Sequence, residues 1–213
     1  MNQIHLQQVL PHEIEKRSFE IITEELAARG ETQEILPENE LVVKRVIHTT
    51  ADFEYVKNLC ISPGAVAKGI VAIKNGACIV TDTQMARSGI NKKKLAEFGG
   101  EAFCFMSDED IAKKAKEEGT TRATASMEKA ASLNRPLIFA IGNAPTALVK
   151  LYEMIEEGKI KPELIIGVPV GFVNVVEAKE LILQTEIPYI VARGRKGGSN
   201  VAAAICNALL YQA

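Results

Sequence analysis

The sequence of 213 residues predicts an α/β fold with a mostly parallel sheet of five or more strands, helices on both faces and a helical N-terminal region. Short runs rich in Val, Ile or Phe have the length of buried strands, and longer segments with helical periodicity separate them. Parallel neighbours require a crossover connection, which is normally right-handed and helical. The predicted strands are 77–81, 101–106, 136–141, 163–168 and 187–192.

The clearest helix between two of these strands is predicted for 145–157, and Gly158 provides its stop. Its apolar side chains recur at i, i+3, i+4 and i+7, namely Leu148, Leu151, Tyr152 and Ile155. This spacing places them on one face, as expected for a helix that packs against a sheet.

The segment before the first strand predicts two further helices. Pro11 suits a first turn, and Gly30 is a typical signal for a helix end. A second helix is predicted from Pro37 to about Thr49. No Ser/Gly-rich linker and no repeat divides the chain, so we expect one domain over 1–213.

Composition excludes several classes of protein. With 25 Lys and Arg against 27 Asp and Glu, the formal net charge is −2, and we expect no nucleic-acid partner. A hydrophobic fraction of 47% excludes a disordered chain. No apolar run is long enough for a membrane span and the N-terminus lacks a signal-peptide pattern, which predicts a cytoplasmic protein. Its four cysteines have no metal-ligand spacing, so we expect no metal site and reduced thiols.

Polar residues cluster where the predicted strands end. In an open α/β sheet, ligands bind outside the carboxyl ends of the strands, where loops and helix N-termini converge. Four of the five predicted strands end in Gly, Asn, Asp or charged residues, at 81–85, 141–146, 167–172 and 193–200.

The last of these segments carries a local cluster of positive charge. Arg193, Arg195 and Lys196 precede two glycines and a predicted helix over 201–210. Such a loop can bind carboxylates, although a solvated basic turn explains the same spacing, and no nucleotide-binding motif is present. Arg122 is a second candidate cation, but Thr121-Arg122 is equally typical of a capped helix start.

Of the three histidines, His5 and His12 lie in a polar N-terminal stretch, where we expect them to be exposed. His48 follows an apolar pair near a predicted helix end, where a structural histidine and an acid–base catalyst are both open interpretations. From the residues alone, the chain is an anion-binding α/β protein with one candidate acid–base histidine.

Seven segments, in the same order along the chain, resemble the precorrin-8X methylmutase family of cobalamin biosynthesis, which includes the cobalt-precorrin-8 methylmutases. They are 14–19, 45–48, 81–85 with 88–90, 121–122, 141–148, 167–173 and 193–199. The sequence after His48, residues 49–55, is more similar to the cobalt-precorrin branch.

This resemblance implies a homodimeric isomerase that moves a methyl group from C-11 to C-12 of a corrin precursor without an organic cofactor. His48 matches the histidine that is taken to protonate the macrocycle and permit a [1,5]-sigmatropic shift. Arg17, Ser18 and Arg122 match active-site positions of the family. The other candidate contacts to the tetrapyrrole acid lie at strand ends: Asp82, Thr83, Gly142, Asn143, Arg193, Arg195 and Lys196.

Such a shift needs no nucleophile and no metal from the protein, so positioning and one general acid suffice. Two other hypotheses remain open. A non-catalytic tetrapyrrole carrier would use the same basic loops but would not need His48. An unrelated nucleotide-binding domain would have to bind ATP or NAD without a fingerprint motif.

Overall fold

A computed structural model describes residues 8–213, so His5 lies outside the described residues. These residues form a six-stranded sheet and eleven α-helices. The strands are β1 Leu59–Ile61, β2 Cys78–Thr81, β3 Ala102–Phe103, β4 Leu137–Ile141, β5 Leu164–Gly167 and β6 Tyr189–Ala192. The helices are α1 Ile14–Ala28, α2 Glu40–Thr50, α3 Tyr55–Asn58, α4 Ala65–Lys74, α5 Gln84–Gly89, α6 Lys92–Glu97, α7 Glu109–Glu117, α8 Arg122–Ala131, α9 Pro145–Glu156, α10 Val175–Leu183 and α11 Ser199–Leu210.

The sheet has the strand order β1-β6-β5-β4-β2-β3, and only the β1–β6 pair is antiparallel. The predicted mostly parallel α/β fold is therefore confirmed. All five predicted strands are present, whereas β1 was not predicted. This edge strand has only three residues, Leu-Cys-Ile, which is too short to show strand periodicity.

Side chains of the central strands alternate between two apolar layers. In β4, Ile138 and Ala140 face the layer formed with α1, α2, α4, α5 and α11, while Phe139 and Ile141 face α7 to α10. Burial on both faces explains why these strands are continuous apolar runs in the sequence, since neither side of the sheet meets water.

The N-terminal region has the predicted helices with shifted starts. A 3₁₀ turn, Pro11–Glu13, precedes α1, and Gly30 follows that helix with a left-handed φ of 71°. The segment predicted as helical from Pro37 begins as another 3₁₀ turn, and α2 starts at Glu40. Both helices belong to the same apolar layer as α11, so they pack with the sheet.

The predicted helix after β4 is confirmed as α9, with Pro145 at its first position. Leu148 and Leu151 are fully buried, and Gly158 has a φ of 67° just beyond the helix. None of the helices formed by residues 8–213 has the length and apolarity needed to cross a bilayer.

Candidate active site

The adjacent strands β2 and β4 define the position where a ligand crevice is expected. The connection after β2 passes through α5, in one apolar layer, whereas the connection after β4 passes through α9, in the other layer. Because neighbouring loops diverge at such a switch point, a crevice forms outside the carboxyl ends of the two strands. Residues 82–83 and 142–143 therefore lie where open α/β sheets bind their ligands.

Asp82, the first residue after β2, places a buried carboxylate at this position. It is 1% exposed and accepts hydrogen bonds from the backbone N–H groups of Gly142 at 2.8 Å, Asn143 at 2.8 Å and Ala144 at 2.5 Å. Burial raises the pKa of the Asp82 carboxyl, while the three amide hydrogen bonds act in the opposite direction. Its oxygens already hold the loop after β4, so the predicted direct contact of Asp82 with substrate would require some of these hydrogen bonds to break.

The loop after β4 packs directly against the start of α11. A Cβ atom on Gly142 would lie 2.7 Å from Cα of Ser199, so only glycine allows this approach. Ser199 Oγ in turn lies 2.7 Å from Thr83 Oγ1, which also accepts the Ala86 N–H and caps α5. The structure thus brings together Thr83, Gly142 and the glycine-rich segment, as predicted from their places at strand ends.

Two of the three cations in the basic loop are already paired within the protein. Arg193 donates two 2.8 Å hydrogen bonds to the Glu180 carboxylate, and Lys196 contacts Asp52 at 2.5 Å and Glu54 at 2.8 Å. These carboxylates raise the pKa of Arg193 and raise that of Lys196 to about 12. A substrate carboxylate would have to displace these partners to bind Arg193 or Lys196, so the predicted clamp of three cations stays a prediction.

Arg195 is the cation of this loop that is available to a ligand. It forms no ion pair with a carboxylate in the described part of the chain, and its guanidinium lies 5.3 Å from the ring centroid of Phe172. Phe172 is 79% exposed, so this contact presents a cation beside an uncovered aromatic ring.

Arg122 is a second unpaired cation and occupies the first position of α8. Thr121 caps this helix, since its Oγ1 accepts the Thr124 N–H at 3.1 Å, so the predicted cap is confirmed. The same hydroxyl lies 3.0 Å from Thr146 Oγ1 in the first turn of α9. Arg122 therefore lies next to the loop after β4, exposed and without an ion pair to the carboxylates of residues 8–213.

His48 is exposed near the C-terminal end of α2, and its imidazole stacks on the ring of Phe19 with a centroid distance of 5.5 Å. Two residues beyond this helix, Asp52 binds Lys196 of the basic loop. The ion pair joins the helix end that carries His48 to the carboxyl edge of the sheet. Sequence reasoning did not assign a role to Phe19, because stacking between α1 and α2 is a tertiary contact.

Arg17 and Ser18 lie on α1 beside Phe19, but both are engaged within that helix. Arg17 forms ion pairs with Glu20 and Glu24, each at 3.2 Å, which raise its pKa. The Ser18 hydroxyl donates to the Ile14 carbonyl at 3.0 Å. A substrate carboxylate would have to displace the two glutamates to bind Arg17.

Exposed apolar side chains accompany the free cations at this edge. Large exposed side chains follow β2 and β5, namely Met85, Val170, Phe172 and Val173. Apolar surface beside guanidinium groups suits a ligand that is both flat and anionic. With an exposed imidazole at the end of α2, the same edge can also supply a proton.

Comparison with known proteins gives one consistent result. A model of the Precorrin-8X methylmutase family matches residues 13–212. The chain belongs to this family. It is 47% identical to a cobalt-precorrin-8 methylmutase of Priestia megaterium, over 94% of this chain and 88% of that relative. It is 48% identical to a cobalt-precorrin-8 methylmutase of Leptospira interrogans, over 94% of this chain and 93% of that relative.

The fold agrees with the family membership. A crystal structure of precorrin-8x methyl mutase from Thermus thermophilus superposes with a TM-score of 0.83 at 37% identity, covering 93% of this chain and 96% of that one. Methylmutases are isomerases that move a methyl group within one molecule, so the predicted enzyme class and its place in cobalamin biosynthesis are confirmed.

One residue that sequence reasoning missed in this methylmutase is Lys179, which is fully buried on α10. It follows the buried residues Val175 and Ala178 on the same apolar face of the helix. A lysine on the buried face of an amphipathic helix is a detectable anomaly, because a buried ammonium needs compensating hydrogen bonds.

Proposed function

We propose that the enzyme converts cobalt-precorrin-8 to the corresponding corrin acid by moving the C-11 methyl group to C-12. The observation that carries this proposal is the pairing of free guanidinium groups with exposed apolar side chains at one edge of the sheet. Arg195 beside Phe172 is the clearest instance. A corrin precursor is a flat macrocycle with carboxylates around its rim, so it matches both kinds of surface.

The cobalt-containing substrate is favoured by the relatives. The two relatives named cobalt-precorrin-8 methylmutase are 47% and 48% identical to this chain, whereas the Thermus thermophilus precorrin-8x methyl mutase is 37% identical. Cobalt is part of the substrate in this proposal.

The proposed chemistry is a [1,5]-sigmatropic shift. The bond between C-11 and the methyl carbon breaks as the bond between C-12 and that carbon forms, and no oxidant or second substrate takes part. His48 donates a proton to the macrocycle before the shift, and a proton leaves again as the product forms, so the net reaction is an isomerisation. Catalysis then consists of holding the macrocycle rigidly and placing one acid.

The candidate site residues have different roles in this proposal. Arg122 and Arg195 bind rim carboxylates, since neither has an ion pair among the described residues. Thr83 and Asn143 offer polar groups at the carboxyl ends of β2 and β4, and the buried carboxylate of Asp82 keeps the backbone at Gly142 and Asn143 in place. Four further residues contribute to binding through internal contacts that orient their loops and helices, namely Arg193, Lys196, Arg17 and Ser18.

A single-turnover experiment tests the proposal. Substrate carrying a ¹³C label in the C-11 methyl group is mixed with excess enzyme, in cobalt-containing and metal-free forms, and the methyl carbon is followed by NMR. We expect the label to appear at C-12, faster with cobalt. Stoichiometric binding without migration would instead support the alternative of a non-catalytic carrier, and faster turnover of the metal-free form would reverse the choice of substrate.

We further propose a cytoplasmic homodimer with its sites at or near the subunit contact. Phe172 and Val173 are 79% and 78% exposed, which favours their coverage by a second copy or by the ligand. The four free cysteines favour a reducing compartment. Sedimentation at micromolar concentration tests the dimer, and a sole species near the chain mass of 23.2 kDa would contradict it.

A further inference from the structure

Lys179 has an unusual environment for a lysine. Its side chain on α10 is fully buried, and Nζ donates to the carbonyl oxygens of Gly194 at 2.7 Å and Lys196 at 2.8 Å. No carboxylate among residues 8–213 forms an ion pair with it. Burial lowers its pKa to about 8. A buried ammonium held only by main-chain carbonyls carries a large desolvation cost, which these two hydrogen bonds have to offset.

The two carbonyls flank the residue that carries the free guanidinium. Between them, the Arg195 carbonyl accepts a hydrogen bond from the Gly171 N–H at 3.2 Å. Three consecutive carbonyl groups, at 194, 195 and 196, are thus held by α10 and by the loop after β5. Hydrogen bonds from α10 and from the loop after β5 therefore fix the main chain around Arg195, while the Arg195 side chain stays exposed.

Neighbouring contacts tie the same loop to other elements of the site. Glu180, adjacent to Lys179 on α10, binds the guanidinium of Arg193. The side chain of Lys196 binds Asp52, just beyond the helix that carries His48. Lys179 thus lies at the base of a loop that connects the free cation to the end of α2.

We propose that Lys179 is a positioning residue, whose two hydrogen bonds to the main chain at 194–196 place Arg195 to bind a carboxylate of the substrate. This inference deepens the proposed function and depends on it for the identity of the ligand. Lys179 is buried beneath the loop, so its side chain offers no surface to a ligand. Its effect on affinity therefore acts through Arg195, which separates this role from a purely structural one.

Lys179→Met tests the inference, because Met has a similar length and no donor. The matched control is Arg135→Met, since Arg135 Nη2 also donates to two loop carbonyls, Gly76 at 3.1 Å and Gly99 at 2.6 Å, but near the amino ends of the strands. The probe is the corrin acid cobyrinate, titrated by absorbance, and folding is checked by circular dichroism. We expect Lys179→Met to weaken binding about tenfold or more, the scale of a lost charge-assisted hydrogen bond, and Arg135→Met to leave it within about twofold.

A double-mutant cycle with Arg195→Gln identifies the route of the effect. If Lys179 acts through Arg195, Lys179→Met should weaken binding by less than about twofold once Arg195 is already replaced. Equal loss in both backgrounds, or a folded Lys179→Met protein with wild-type affinity, would overturn the inference. If Lys179→Met does not fold, Lys179→Leu, which also has no donor, is measured by the same criteria.

Hydrogen exchange separates failure of this inference from failure of the proposed function. Amide exchange in the segment 193–199 should rise in Lys179→Met and stay unchanged in Arg135→Met, whether or not a corrin acid binds. Wild-type protein that does not bind cobyrinate would contradict the proposed function. Unchanged exchange in Lys179→Met would contradict the positioning role by itself.

Discussion

The two edges of the sheet differ in how their loops are held. The amino edge has a broad groove of about 570 Å³ between α4 and the segments that precede β4, β5 and β6, and it includes Val71, Lys161 and Glu186. The carboxyl edge has Asp82 and Lys179, the two buried charged side chains of the described residues, and each holds a loop by main-chain hydrogen bonds.

The groove of the amino edge and the buried charges of the carboxyl edge are therefore different kinds of feature. A groove can remain between packed elements at little cost, whereas a buried charge destabilises the fold unless its hydrogen bonds are all made. Two such charges at one edge hold the main chain of the loops after β4 and β6 in defined positions. The unpaired guanidinium groups of Arg122 and Arg195 lie at that same edge.

The largest effect is expected from His48 at the carboxyl edge. His48→Asn should keep the fold and bind the corrin acid, because the side chain is exposed, but should slow methyl migration by about 10²–10⁴-fold through loss of the general acid. Single-turnover rates with saturating substrate provide the measurement. A rate within about threefold of wild type would make His48 a structural histidine.

Asp82 should have the largest effect on stability. Asp82→Ala leaves three loop N–H groups without their acceptor, so the free energy of unfolding should fall by about 3 kcal/mol. Urea denaturation measures this loss. Asp110→Ala is the matched control, since that carboxylate is paired with Lys129 at 2.8 Å but is exposed, and the midpoint of its urea transition should stay close to that of wild type.

Lys179 should make the free energy of unfolding depend on pH in the alkaline range. Its pKa is about 8 in the folded protein and 10.5 ordinarily, so between these values the unfolded chain binds a proton that the folded protein does not. The contribution of this group to the free energy of unfolding therefore rises with pH over that window. The stability of wild type relative to Lys179→Met should increase by about 2–3 kcal/mol from pH 8 to 10.5.

Denaturant unfolding of both proteins across this pH range is the measurement. Glu180 and Arg193 are present in both, so their titration cancels in the difference. A difference that is constant with pH would mean that Lys179 is protonated equally in the folded and unfolded states.

A smaller effect should separate the free cations from the paired ones. Arg122→Gln and Arg195→Gln should each weaken corrin-acid binding about tenfold and reduce its salt dependence, because exposed charge pairs are screened within about 10 Å at 0.1 M salt. Arg193→Gln should weaken binding by about threefold or less, because the Arg193 guanidinium is already paired with the Glu180 carboxylate. The measurement is the affinity of each variant for the corrin acid at low and high salt. Equal losses of affinity at all three positions would contradict the difference between free and paired cations.

The smallest effect is expected at the amino edge. Val71→Ser and Lys161→Gln change the surface of the broad groove without touching a buried charge. Turnover and affinity should stay within about twofold of wild type, in line with substitutions away from functional contacts. A large loss of turnover in either variant would show that the amino-edge groove also serves the reaction.

The sequence by itself determined the fold class, five of the six strands, the helix after β4 and the family. These features depend on local patterns: apolar runs, helical spacing and the glycines and prolines that end elements. The short edge strand β1 was missed, because three residues carry no period and its pairing partner β6 is about 130 residues away along the chain.

Only the tertiary structure decided which charged residues are free. Arg193 and Lys196 look equivalent to Arg195 in the sequence, but Glu180 and Asp52 neutralise them across separations of 13 and 144 residues. The buried roles of Asp82 and Lys179 likewise depend on partners 60 and 15 residues away. The energy of an ion pair depends on the distance between the two charges in space and not on their separation along the chain. Residue types and local spacing therefore indicate which groups can bind an anion. The tertiary structure determines which of those groups remain available.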